Sequence, residues 1–143
     1  MSQTNVPDTD HVVRYVGWSN VAKDADENVT GILGEAFRRR PNEEGLSVNW
    51  LERAAAADKL KKTVELLTVG LKVGKKARVA IANVAVFKNV CARRSAKVRI
   101  VHIPINGNEP HSEVRQLPRE EDELLELLAV EAVTSHHRCL DVI

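Results

Sequence analysis

Three histidines stand where side chains that move protons or bind anions are commonly found: His11, His102 and His111. His11 opens the run HVVRYV, with Arg14 three residues on. His102 lies near the end of KVRIVHIP, and His111 sits in the turn-rich Pro110-His111-Ser112. Imidazole titrates near neutral pH, so two such rings flanking one loop can serve as an acid and a base. They can also offer two nitrogens to a metal. No carboxylate stands at a telling spacing from either His102 or His111. The plainer reading is that His102 is a half-buried strand residue and that His111 bonds loop backbone. His11, Arg14, His102 and His111 are therefore weak catalytic candidates, and no metal or cofactor is expected.

A second group lies in RRRPNEEGLSVNW. Arg38, Arg39 and Arg40 are suited to phosphate or carboxylate recognition, because the guanidinium fork matches both anions. Arg14, Arg40, Ser47 and Asn49 could line one anionic pocket. The alternative is a solvated arginine turn followed by an edge strand. Trp18 and Trp50 read as core or interface anchors, which makes them the candidates for contact with a partner. His136 and His137 fall in an expected tail and carry little meaning there.

Charge is spread unevenly. The formal net charge is only +1, yet Lys59 to Arg99 holds twelve Lys or Arg residues against the single acid Glu65. Glu109 to Glu131 holds eight carboxylates against Arg115 and Arg119. The middle of the chain can be a nucleic-acid face, with Lys75, Lys76, Arg93, Arg94, Lys97 and Arg99 as its phosphate contacts. Equally, the two segments can face one another within the fold. Only five aromatic residues are present, too few for a base-stacking platform. The chain has no P-loop, dinucleotide-binding glycine fingerprint, H-E-x-x-H or G-x-S-x-G motif. Catalysis by those known routes is thus not expected, and an enzyme is the less favoured class.

These residues need a scaffold. At 143 residues one compact domain is the default, and a chain of this length buries roughly two-thirds of its unfolded surface. Cys91 and Cys139 are far apart in sequence, which argues against a disulfide framework; one buried thiol and one tail thiol are expected. The start lacks the apolar core of a signal peptide. No apolar run approaches the roughly 20 residues of a membrane span. A cytoplasmic protein with no membrane association is expected.

Residues 1–10 read as a flexible leader, 11–135 as the domain, and 136–143 as a tail. HVVRYV is a strand, and Gly17 to Gly34 is a long turn-rich connection of the sort that is often functional. Glu35 to Arg38 is expected to form a short strand. Leu46 to Trp50 alternates as a half-buried strand, although Ser47 could instead cap a helix. A helix is expected over Ala54 to Val69, with Leu60, Val64, Leu67 and Leu71 as its stripe. Arg78 to Ala82 is β-rich, and Asn83 to Ala92 leans to a helix. Lys97 to Ile103 alternates basic and apolar side chains as a strand. Pro104 to His111 is a loop. Pro118 starts a last helix, its carboxylates near the positive end of the dipole, running to about Val133. The fold class is α/β in the α+β sense: a small single sheet with helices packed against it.

The strings HVVRYV, RPNEEGLSVNWLE and HIPINGNEPHSEV together resemble a group of small bacterial proteins with no assigned activity. The resemblance implies a bacterial origin and transfers no role to any residue. The function expected is a non-catalytic accessory protein that docks on a larger protein. The alternatives are a nucleic-acid-binding module using residues 59–99 and a small histidine-dependent enzyme acting on a phosphorylated or otherwise anionic substrate. Association with further copies of itself stays open.

Overall fold

The structure, a computed structural model, describes residues 4–143. Its centre is a six-stranded antiparallel sheet. The strands are β1 (His11–Val16), β4 (Gly45–Trp50), β5 (Arg78–Asn83), β6 (Arg99–His102), β7 (His111–Arg115) and β8 (Val133–Arg138). Their spatial order is β6-β7-β4-β1-β5-β8. A two-stranded hairpin, β2 (Val21–Lys23) and β3 (Val29–Ile32), stands apart from it. The α+β architecture follows, with helices α1 (Lys59–Leu67), α2 (Val84–Arg93), α3 (Asp122–Leu127) and α4 (Cys139–Val142).

Both faces of the sheet are used. The first face carries Val12, Leu46, Val48, Trp50, Ala80 and Val114 into the larger core, which Phe87 of α2 and Leu124 and Leu125 of α3 complete. Phe37 meets Phe87 edge-on with ring centroids 6.0 Å apart. The second face carries Val13, Val79 and Ile81 into a smaller core, closed by Val64 of α1 and by Cys139. Successive residues of one strand point to opposite faces, so Val12 and Val13 serve different cores. The imperfect alternation of HVVRYV is the mark of a strand buried on both sides.

Several boundaries differ from expectation. α1 starts only at Lys59, because Asp58 caps it by accepting from the Lys61 amide at 3.0 Å. Leu71 falls outside the helix, beyond Gly70 with φ +76°, and is exposed. Gly34–Phe37 is a 3-10 turn in place of the expected strand. The Glu35–Arg38 ion pair at 2.8 Å suits that turn, where residues three apart eclipse. The connection from Gly17 holds the β2–β3 hairpin, whose turn is organised by Asp24 accepting from the amides of Asp26 and Asn28.

The described part of the expected leader and the expected tail are also built in, residues 1–3 lying outside the described residues. Val6 is buried, its amide bonds the Ile100 carbonyl, and Asn5 bridges Val101, so these leader residues extend the sheet at β6. The helix expected from Pro118 to about Val133 begins only at Asp122 as α3, continues as a π-type turn over Leu128–Ala132, and gives way to β8 at Val133. His136 and His137 therefore belong to a strand and not to a tail. Cys139 is buried like Cys91, whose thiol burial pushes up to about 12. Among the described residues no helix is long and apolar enough to cross a membrane.

Candidate functional site

The best-defined polar constellation lies on the second face of the sheet, where β4 and β7 pair. LSVNW puts Leu46, Val48 and Trp50 into the larger core, which turns Ser47 and Asn49 the other way. The register sets Asn49 opposite His111 and Ser47 opposite Glu113. His111 is only 8% exposed. Its Nδ1 lies 2.8 Å from the Ile103 carbonyl and its Nε2 lies 3.3 Å from the Ser47 Oγ. A carbonyl only accepts, so Nδ1 carries the proton. In the neutral ring Nε2 is then the lone-pair nitrogen, and it faces the Ser47 hydroxyl.

The surroundings fix that pair. Asn49 and Asn108 exchange side-chain amide bonds of 2.8 and 3.0 Å, which ties the β6–β7 loop to β4. Glu113 is held by the Arg115 Nε at 2.8 Å. Behind Ser47 sits Arg14. The β1–β4 ladder covers only Val12↔Trp50 and Val13↔Asn49. Beyond it, Arg14 donates from Nη1 to the Ser47 carbonyl at 2.8 Å and from Nε to the Ala36 carbonyl at 3.0 Å. Burial lowers its pKa, with Glu43 acting against the shift and Arg40 adding to it. Arg14 is thus committed to main-chain carbonyls, and the pocket foreseen for Arg14, Arg40, Ser47 and Asn49 is replaced by a structural clamp.

The three histidines are not gathered into one cluster. His11 donates from Nδ1 to Glu52 Oε2 at 2.7 Å, and Glu52 Oε1 takes the His11 amide at 2.8 Å. His102 is paired with Ser112 in the register, so alternation puts it on the face opposite His111. There its ring meets Trp50 edge-on at 5.2 Å, and its Nε2 lies 2.8 Å from the Glu109 carbonyl. Among the described residues no group of three or more His, Cys, Asp or Glu is placed to hold a metal ion.

The arginine and lysine candidates divide. Arg38 is an internal strut: it pairs with Glu35 and Asp122 and donates to the Arg119 carbonyl. Arg39 donates to the Glu43 carbonyl, while Arg40 is exposed beside Glu43. Arg93 pairs with Glu131 and Arg94 with Glu123, so that part of the basic segment does face the acidic C-terminal one. Lys76 pairs with Glu27 and lies 4.9 Å from the centroid of Trp18, which Lys23 also approaches at 4.3 Å. Lys75, Lys97 and Arg99 are exposed. Trp50 is buried with its indole N–H on Asp10 at 2.8 Å, which removes it as a surface anchor for a partner.

Sequence reasoning missed a groove beside α3. About 460 Å³ in volume, it is lined by Arg94, Asp122, Glu123, Glu126, Leu127 and Val130, and its exposed lining is almost wholly apolar. Val130 is 75% exposed. The signal was the run Leu127-Leu128-Ala129-Val130, one apolar residue more than a helical stripe needs. The π-type turn leaves Leu128 and Ala129 buried and Val130 in solvent. No protein-family model matches the chain, and no curated protein or solved structure matches it at a significant level.

Proposed function

We propose that this chain is an accessory domain that docks on a larger protein, with the groove beside α3 as its contact. The observation that carries the reading is Val130, a large aliphatic side chain standing in solvent beside the half-buried Leu127 in an apolar groove. Contiguous exposed apolar surface rimmed by charge is characteristic of protein contacts. The groove wall holds three carboxylates, of which Asp122 is paired with Arg38 and Glu123 with Arg94, so Glu126 is the one without a cation among the described residues. That carboxylate favours a partner segment with an apolar anchor flanked by lysine or arginine.

The test is capture of a stoichiometric partner from the source organism by the immobilised chain, in parallel with Val130→Glu and Ile105→Glu. Ile105 is also exposed but lies in the β6–β7 loop. The reading expects loss of the partner with Val130→Glu alone. Capture indifferent to Val130, or no stoichiometric partner at all, overturns it.

A second reading, nucleic-acid binding through residues 59–99, draws support from Lys61, Lys72, Lys75, Lys97 and Arg99. All five are exposed and have no ion-pair partner among the described residues. Binding of this kind falls steeply with salt, through counterion release. Retention that ignores salt rules it out.

A further inference from the structure

Ser47 and His111 hold the geometry of an activated hydroxyl, independently of any docking at α3. The ring of His111 is oriented by the Ile103 carbonyl at Nδ1 and presents Nε2 to the Ser47 Oγ at 3.3 Å. This is the arrangement of a nucleophile, a base and an orienting group, with a main-chain carbonyl in the third role. The tautomer is fixed by the acceptor-only carbonyl and needs no carboxylate. Ser47 is half-buried rather than sealed, and its own main chain is pinned by Arg14 at 2.8 Å. The residue is therefore partly open to solvent while its backbone is held in place.

We propose that Ser47 is an acyl-accepting site, modified by small activated carboxylic esters or thioesters with His111 as general base. As the Ser47 Oγ forms its bond to the acyl carbon, its proton passes to His111 Nε2. The bond from the acyl carbon to the leaving oxygen or sulfur then breaks, and the leaving group departs with that proton. The products are an ester on Ser47 and a free alcohol or thiol, with no change in oxidation state. Ser47 and His111 are the reacting groups; Arg14 is a positioning residue. A positioned base contributes roughly 10²–10⁴-fold, a range suited to donors with good leaving groups rather than to amides.

The probe is p-nitrophenyl acetate on the full chain, followed by intact mass, peptide mapping and nitrophenolate release. The expected result is one acetyl group on Ser47, removed by alkaline hydroxylamine as oxygen esters are, whereas acetyl-lysine survives it. Ser47→Ala loses that adduct. His111→Asn keeps an amide donor for the Ile103 carbonyl but lacks the base, and slows labelling by at least about 100-fold. Ser47→Cys regains an adduct at the same position as a thioester, which separates a lost nucleophile from a damaged fold. Labelling confined to lysines, equal rates in wild type and His111→Asn, or equally fast labelling of Ser47 in the urea-unfolded chain would each overturn the proposal.

Discussion

Arg14 is a cation placed inside a sheet, and what it does there is structural. A strand pair that stops after two residues leaves main-chain carbonyls facing a gap, and a buried unpaired carbonyl costs about 1–3 kcal/mol. The guanidinium satisfies the carbonyls of Ala36 and Ser47 from one side chain, joining the turn before β4 to β4 itself. Arg14→Met is expected to lower unfolding free energy by about 2–4 kcal/mol, read as a drop in urea midpoint at constant slope. Arg14→Lys should recover little, since an ammonium lacks the planar fork that reaches two acceptors at once. From the sequence Arg14 looked like an anion-binding residue beside His11. Its type and its place in a strand were legible there. The early end of the β1–β4 ladder, which determines its partners, depends on tertiary register and was not.

Elements tell a similar story at their joints. Gly34 packs so tightly on α3 that a Cβ would come within 2.6 Å of the Glu126 nitrogen and 2.7 Å of the Leu125 carbonyl carbon. Both are backbone atoms, which move only with their helix. Gly34→Ala should therefore cost about 1–3 kcal/mol in a urea melt, more than any propensity gain from alanine returns. β8 supplies a pH effect. His136 Nδ1 accepts from the Arg78 Nε at 2.9 Å, and burial, then Arg78, then His137 hold its pKa below the ordinary 6.5.

Below that pH the unfolded chain binds the proton more readily than the native one, so stability is full above pH 6.5 and falls as the pH drops through it. His136→Gln keeps an acceptor for Arg78 and does not titrate. Urea midpoints at pH 7.5 and 5.5 should differ less in His136→Gln than in wild type; an unchanged difference would remove His136 as the cause. β8 itself escaped sequence reading because VTSHHR has only one large aliphatic residue and follows a strong helix signal without a turn. β7, HSEVR, was also missed, since Val114 is its one aliphatic residue and it runs straight out of a turn-rich loop, while HVVRYV and LSVNW are richer in apolar residues and were found.

For the whole molecule the open question is whether two cores make one folding unit. They share no helix, but they share the central strands: Val12 and Ala80 face the larger core, Val13 and Ile81 the smaller. Pulling α1 off the second face exposes Val13, and nothing in β1 lets that residue relax without disturbing Val12 beside it. Close-packed interiors transmit such strain rather than absorbing it. Val64→Ala, at a fully buried site on α1, removes two methyl groups from the smaller core, and at about 0.8 kcal/mol for each buried carbon lost it should destabilise by about 2 kcal/mol. Both tryptophans report from the other side, since Trp50 lies in the larger core and Trp18 packs against it. In Val64→Ala the fluorescence and far-UV circular dichroism transitions should shift together to the same lower urea concentration, the signature of two-state unfolding. If fluorescence instead keeps the wild-type midpoint while part of the dichroism melts early, α1 and the second face form a separate unit. The Ser47–His111 pair would then sit on the less stable side of the sheet.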